Sequence, residues 1–360
     1  MATAAEYGLG PIAFPRGWFM VATSEEVTSV PSSVRFFGQD LVLYRGESGA
    51  AYMVDAYCPH LGAHLAKNTS SFVIKDNKHV EGECIRCPYH AWRFGPDGKC
   101  NEIPYSPARP PEAAKLRYWR VEERYGCIFA WHDAEGGVPD FNLPVISQWD
   151  NPAYLPWEID HLGDLPCHPI ELIDNMADLA HLAPTHGSEP SDYFSNQVRG
   201  VELWQLQAAR NRMLVNHGAL RTDTYYTGPG ILISRFNGGQ GIMFITHTPV
   251  EDGSLRAWHG FIMNSGNPAP GEAEREMARQ ASAGSLAALA QDFEVWANKR
   301  PCFDPLAVLG DGGFSKVRAW YKQFYHPRAD AERLQKLANG TYGARGTPAA
   351  PEELLRELAG

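Results

Sequence analysis

Two short pairs of thiol and imidazole side chains stand out in the first third of the chain, Cys58-Pro-His60 and Cys87-Pro-Tyr-His90. One cysteine and one histidine in each of two loops is the ligand set of a Rieske [2Fe–2S] centre, with two thiolates on one iron and two imidazoles on the other. Neutral imidazoles in place of two thiolates raise the reduction potential above that of an all-cysteine cluster, which suits one-electron relay. Leu61-Gly62-Ala63 and Trp92 follow the pairs and would shield such a cluster. Two other arrangements compete. Cys84-Ile-Arg-Cys87 with Cys58 and His60 makes a structural zinc set, but it leaves His90 unused. His60 and His64 are four apart, yet Gly62 between them disfavours a helix, so His64 is expected to be a surface or packing residue.

A second constellation lies about ninety residues downstream, in Asn175-Met-Ala-Asp178-Leu-Ala-His181-Leu-Ala-Pro-Thr-His186. Asp178 and His181, three apart, share one face of a helix expected over Glu171 to Ala183. Pro184 should stop that helix and let His186 turn back toward His181. Two imidazoles and one distant carboxylate form a facial triad that leaves three cis positions of an Fe(II) open. The pattern alone leaves the carboxylate open. Asp292 flanks an apolar helix face of Leu286, Leu289, Phe293 and Trp296, Glu294 borders its other edge, and Asp304 sits in a proline-bounded loop.

The elements that must position these groups can be read in outline. Short β-branched and aromatic runs, Trp18 to Ala22, Leu41 to Tyr44, Ala51 to Asp55, Arg117 to Val121 and Cys127 to Trp131, predict a meander or small barrel around the first pair. The prolines at 104, 107, 110 and 111 predict an extended crossing segment. Pro139 to Pro156 reads as the passage into a second domain. There, strands are expected at Met213 to Asn216, Gly230 to Ser234 and Gly241 to Thr246, followed by a helix from Gly271 to Lys299. Asn339 to Ala350 reads as an exposed linker, with a short helix over Pro351 to Leu358. The expected division is 1–150 for an all-β cluster domain (cluster loops 58–64 and 84–93), 151–340 for an antiparallel-sheet catalytic domain with helices, and 341–360 for the tail. That is an α+β chain.

Composition excludes other classes. With 32 Lys and Arg against 42 Asp and Glu the chain is net acidic, and no basic block is present to track a phosphate backbone. Seven cysteines, an odd number clustered between 58 and 100, argue against a secreted disulfide framework and for a reducing, cytoplasmic setting. Met1 to Gly10 lacks the features of a secretory signal, and no run of about 18 apolar residues predicts a membrane span.

The segments Cys58-Pro-His-Leu-Gly-Ala-His-Leu-Ala66 and Cys87-Pro-Tyr-His-Ala-Trp-Arg-Phe-Gly-Pro-Asp-Gly-Lys-Cys100 resemble the cluster segment of the Rieske non-haem iron oxygenases. One departure is the 26 residues between His60 and Cys87; the extra stretch, Asn68 to Gly82, is expected to form an extended polar hairpin. Asn175 to His186 matches that family's iron motif, and Gln291-Asp-Phe-Glu-Val-Trp296 is similar to the segment that supplies its carboxylate. The resemblance thus implies iron at His181, His186 and Asp292. It gives Asp178, with a lesser role for Asn175, the part of an electron-transfer bridge between His181 and a Rieske histidine of a neighbouring chain. It further implies a helix-grip (START-like) catalytic domain, a head-to-tail homotrimer, and O2-dependent oxidation. Electrons would come from a separate NADH-dependent flavin or iron–sulfur reductase, directly or through a ferredoxin, since no GxGxxG motif is evident here.

From Trp18 to Tyr325 the pattern is most similar to 3-ketosteroid 9α-hydroxylase oxygenase components, and the Cys58 loop also resembles animal cholesterol 7-desaturases. A monooxygenase acting on a bulky, apolar, steroid-like substrate is therefore expected, with Phe236, Met243, Phe244, Trp258 and Met263 in the strand-rich region as a natural apolar wall. Aromatic ring dihydroxylation, oxidative demethylation of a smaller substrate, and a non-catalytic Rieske electron carrier are the competing readings.

Overall fold

The computed structural model describes residues 1–212 and 218–357, so the strand expected at Met213 to Asn216 and the end of the last helix at Leu358 lie outside the described residues. The chain divides into two compact units, residues 19–132 and residues 1–18 joined with 133–360. The larger unit therefore takes in both the first 18 residues and the stretch 133–150, which the sequence assigned to the cluster domain. Specific bonds hold them there. The Trp18 indole donates to the Phe141 carbonyl at 2.9 Å, and the backbone N–H groups of Ile12 and Arg16 donate to Tyr325 and Phe324.

The smaller unit is all β apart from one helical turn. Its elements are β1 (Gly17–Thr23), β2 (Ser32–Phe36), β3 (Gln39–Arg45), β4 (Ala51–Asp55), α1 (Phe72–Lys75), β5 (Val80–Glu81), β6 (Cys84–Arg86), β7 (Arg93–Phe94), β8 (Cys100–Glu102), β9 (Tyr118–Trp119), β10 (Val121–Arg124) and β11 (Cys127–His132). They form three small sheets, ordered β2-β3-β4-β9, β1-β11-β10 and β5-β6-β7-β8. β2 alternates half-buried and exposed residues up to the buried Phe36, whereas β1 and β11 are almost wholly buried and read as nearly continuous apolar runs. The stretch Asn68 to Gly82 is not the extended hairpin expected. Asn68 Oδ1 accepts the N–H groups of Ser70 and Ser71, which turns the chain into α1; Asn77, at φ +57°, ends it, and only then does β5 pair with β6.

The larger unit contains β12 (Tyr154–Leu155), β13 (Asp160–Leu165), α2 (Ile170–Asp174), α3 (Leu182–His186), β14 (Tyr193–Arg199), β15 (Glu202–Ala209), β16 (Leu220–Thr227), β17 (Ile231–Phe236), β18 (Gly241–Pro249), β19 (Leu255–Asn264), α4 (Glu272–Asn298), α5 (Phe314–Lys322), α6 (Ala331–Ala338), β20 (Gly340–Tyr342) and α7 (Glu352–Glu357). One antiparallel sheet runs β12-β19-β18-β17-β16-β15-β14-β20, with β13 also on β19. The face carrying Ile245, Leu255 and Ala257 packs against Leu289 and Trp296 of α4. The α+β expectation holds.

Two local expectations do not. The helix predicted over Glu171 to Ala183 is instead α2, an irregular stretch 175–181, and α3. Pro184 does not end a helix; it lies in the first turn of α3, where its missing N–H is not needed. The stretch between the helices is fixed by burial: Met176 and Ala177 join a core with Tyr226, Trp320, Tyr321 and Phe324. Asn339 to Ala350 is largely exposed, as expected, but it is not a linker. β20 pairs with β14, Phe194 N–H donates to Pro348, and Ala350 N–H donates to Ser195 Oγ, so the tail covers a sheet edge whose polar groups would otherwise stand unpaired.

Candidate metal centres

The first centre is built by two loops with the same hydrogen-bond pattern. In each, the residue four after the cysteine donates its N–H to the cysteine carbonyl, Gly62 to Cys58 and Ala91 to Cys87. Each cysteine N–H donates to the residue five ahead, Ala63 or Trp92. Both turning residues take a left-handed φ, +73° at Gly62 and +60° at Ala91. The knuckles bury Cys58 and Cys87 side by side while their histidines meet: the rings of His60 and His90 are 4.7 Å apart, and His60 stacks on Trp92 at 4.5 Å.

The donor set fits a [2Fe–2S] cluster on its own chemistry. His60 Nδ1 is buried with no hydrogen-bond partner, which a metal bond would satisfy. A hydrogen bond from Cys58 holds the Cys87 thiol below its ordinary value, and the N–H groups of Tyr89 and His90 add to that pull against burial. The same bond raises Cys58. Cys84 stays outside this set, its sulfur accepting from Asn101 Nδ2 at 3.4 Å. His64 is a packing residue: its Nδ1 accepts the N–H groups of Ala66 and Lys67, and its Nε2 lies 3.2 Å from Ser33 Oγ. All seven cysteines are unpaired, and burial pushes Cys127 and Cys167 up to about 12.

In the larger unit, His181, His186 and Asp292 each turn one ligand atom to a common point, all within 4.8 Å of one another. Among the described residues this is the one group of three or more such donors gathered for a single ion. His186 Nε2 is 3.3 Å and His181 Nε2 3.8 Å from Asp292 Oδ1, and the three side chains are only 14–16% exposed. The other ring nitrogens are occupied. His181 Nδ1 donates to the Asp178 backbone carbonyl at 2.5 Å, and His186 Nδ1 to Gln291 Oε1 at 2.9 Å. Each Nε2 lone pair is thereby aimed at the centre, the orientation that a ligating imidazole requires. Two imidazoles and one carboxylate fit a ferrous ion with open positions.

Asp178 is half-buried in the irregular stretch, not on a helix. Burial works to raise its pKa, but the hydrogen bonds and charge of His181 outweigh that and lower it. Its Oδ1 accepts the His181 N–H at 3.2 Å. For His186, burial works downward, but Asp292 and Gln291 raise it on balance. Asn175 caps α2, and its carbonyl accepts from Gln205 Nε2, which also bonds the Met176 carbonyl. Asn196 Nδ2 donates to that carbonyl as well. Gln291, Gln205 and Asn196 were not singled out from sequence; the adjacency of Gln291 to Asp292 was the one available signal. Glu294 and Asp304 stay exposed, Asp304 at a cavity of about 330 Å³ that Tyr7 and Arg318 also line. The five residues offered as an apolar wall do not share one. Phe236, Met243 and Met263 lie on the α4 side of the sheet, whereas Phe244 and Trp258 point to the opposite side, Phe244 stacking on Trp157.

Comparison with known proteins follows the two-unit division. The Rieske [2Fe-2S] domain model matches residues 17–119, and the model described as the 3-ketosteroid 9alpha-hydroxylase C-terminal domain matches 130–325. A probable 3-ketosteroid-9-alpha-monooxygenase oxygenase component of Rhodococcus rhodochrous is 32% identical over 89% of this chain and 82% of its own length. The cholesterol 7-desaturase of Caenorhabditis elegans is 30% identical over 88% and 78%. Among solved structures, dicamba monooxygenase bound to dicamba superposes with a TM-score of 0.64 at 20% identity, covering 90% of this chain and 98% of that one. Pseudomonas putida CBB5 NdmA with caffeine gives 0.68 at 17% identity, covering 91% and 96%.

Proposed function

The chain belongs to the Rieske non-haem iron oxygenases, with the oxygenase components of 3-ketosteroid 9α-hydroxylases, and on that footing we propose that it hydroxylates a C–H bond of a bulky, apolar, steroid-like substrate. The balance is R–H + O2 + 2e⁻ + 2H⁺ → R–OH + H2O. Both electrons come from a separate reductase, NADH-dependent in our reading and acting directly or through a ferredoxin. When bound, the cluster supplies electrons one at a time and the mononuclear iron supplies dioxygen activation.

The chain's own residues do the rest. Cys58, Cys87, His60 and His90 hold the cluster. His181, His186 and Asp292 hold the iron, and their convergence on one point is the observation that carries the proposal. Asp178 orients His181 and, in a head-to-tail homotrimer, bridges it to His60 or His90 of the next chain; Asn175 supports the turn on which Asp178 sits. The irregular stretch is pinned to the sheet by Asn196 and Gln205, whose amides both donate to the Met176 carbonyl. Further along the same sheet face, the buried Gln207 Oε1 and Thr222 Oγ1 face each other without partners, in a position to receive a polar group on an otherwise apolar molecule. The unpaired cysteines favour a cytoplasmic setting, and no helix among the described residues is long and apolar enough to cross a membrane.

Oxygen uptake with a reductase, measured against a steroid panel and an aromatic panel, tests the substrate class. Coupled turnover of steroids is expected; tight coupling to aromatics alone would retire that class in favour of ring dihydroxylation or demethylation. The desaturase relative motivates a second reading, and product mass separates it: one added oxygen for hydroxylation, two lost hydrogens for desaturation. His181→Ala with His186→Ala should abolish product and leave the cluster's visible spectrum intact. Product from that variant would displace the second metal centre, and a wild-type protein that passes electrons but oxidises nothing would be a carrier.

A further inference from the structure

α4 carries Asp292, yet little apolar packing seats it. Of its 27 residues only Leu289 and Trp296 are buried. A helix seated by two buried side chains and the half-buried Phe293 can slide or roll slightly at small cost, while metal–ligand distances tolerate only about 0.2 Å. Something else must fix its register.

Two polar anchors flank Asp292 at equal spacing. Seven residues before it, Ser285 Oγ lies 2.9 Å from His259 Nε2. His259, fully buried on β19, places its Nδ1 2.9 Å from Asp160 Oδ2 on β13. The partners assign the tautomer: Nδ1–H donates to the carboxylate, and Nε2 accepts the serine hydroxyl. The chain has the outline of a nucleophilic triad, but the backbone N–H groups around Ser285 are committed to the interior of α4 and offer no oxyanion site. Seven residues after Asp292, Lys299 closes α4 and its Nζ lies 2.5 Å from Glu171 Oε2. Glu171 is only 2% exposed, accepts the Tyr7 hydroxyl, and lies on α2, which leads directly into Asp178 and His181. Seven residues fall within about 20° of two helical turns. Ser285, Asp292 and Lys299 therefore follow one line of the helix at intervals of about 10 Å.

We propose that Ser285–His259–Asp160 and Lys299–Glu171 are positioning groups for Asp292, the first fixing α4 to the sheet and the second fixing it to the segment that carries the histidines. This rests on the ligand reading above. The second anchor ties the carboxylate helix to the histidine segment, so the three donors move together. The first sets the rotation of α4 about its axis, which decides whether Asp292 Oδ1 faces the two Nε2 atoms.

The test loads the full-length protein with Fe(II) and follows loss of iron to a chelator, alongside thermal unfolding of the iron-free protein. Ser285→Ala and Lys299→Met are expected to retain iron about 10–100-fold less well with the cluster spectrum unchanged, a loss larger than the fall in iron-free stability that follows from leaving His259 or Glu171 without its partner, and Lys299→Arg to recover most of it. Ser282→Ala, one turn away and outside both anchors, should behave as wild type. Wild-type retention in Ser285→Ala and Lys299→Met overturns the proposal, as does a loss matched by an equal fall in iron-free stability. Asp292→Ala separates the two levels: if it keeps iron, the ligand reading fails; if it alone loses iron, only the positioning role fails.

Discussion

Gly62 and Ala91 occupy equivalent places in the two cluster knuckles, and both need the left-handed conformation that glycine adopts freely and alanine does not. Ala91→Gly should therefore raise the stability of the cluster unit by about 1 kcal/mol, read as a higher unfolding temperature with an unchanged cluster spectrum; Gly62→Ala should lower it by a similar amount. The residues we propose as cluster ligands were those most legible in the sequence. A Cys-x-His and a Cys-x-x-His pair depend on local loop geometry, so their spacing singles them out even beside the competing zinc set that Cys84 offers. Asp292 was not separable from Glu294 and Asp304 by periodicity, because its role depends on where a helix a hundred residues downstream comes to rest; similarity to the family's segment, not spacing, chose it. Gln291, Gln205 and Asn196 were out of reach for the same reason. Their amides act on a ring nitrogen or on backbone carbonyls brought near only by the finished sheet.

At the scale of elements, sequence reading found the long helix and the more apolar strands, missed many short or polar ones, and mistook the connection that matters most. Glu171 to Ala183 has no glycine or proline and so reads as one helix, yet core packing of Met176 and Ala177 breaks it. Tertiary burial overrides helix propensity there. Gly312 shows how tightly that break is held: a Cβ at this position would lie 2.1 Å from the Ala177 carbonyl oxygen. Gly312→Ala must push the ligand loop outward. It should cost about 1–3 kcal/mol and lower the iron content. Gly313→Ala, whose nearest neighbour would be at an ordinary 3.5 Å, should do neither. Unfolding curves and metal analysis of the two variants compare them directly.

For the molecule as a whole, acid should be the weak point of the larger unit. Burial drives His168 and His247 from 6.5 to about 3, with the neighbouring His168 adding to the effect on His247. Between those values the unfolded chain binds protons that the folded one refuses. Stability is therefore complete above about pH 6.5 and falls as pH drops toward 3, by up to about 1.4 kcal/mol per pH unit for each histidine. Thermal unfolding from pH 7.5 to 4 should show that slope, and His247→Gln should flatten it even if it starts from a lower temperature. The trimeric reading makes a sharper prediction. Chains carrying Cys87→Ser and chains carrying His186→Ala should each be inactive, but co-assembled in equal numbers they should recover roughly a quarter of wild-type turnover if electrons cross between chains. No recovery would place the whole circuit within one chain.

The first 18 residues have a consequence for biosynthesis. Tyr7 binds Glu171 and the Ala4 N–H binds Asp252, partners that follow 164 and 248 residues later. At about 5–20 residues per second, the strap waits on the order of ten seconds or more for its partners to leave the ribosome. Residues 19–132 meanwhile emerge as a contiguous unit with a core of their own. The iron–sulfur site can thus be furnished on a nascent chain before any ligand of the second metal has been translated. Translation order would then let the cluster be loaded ahead of the second metal.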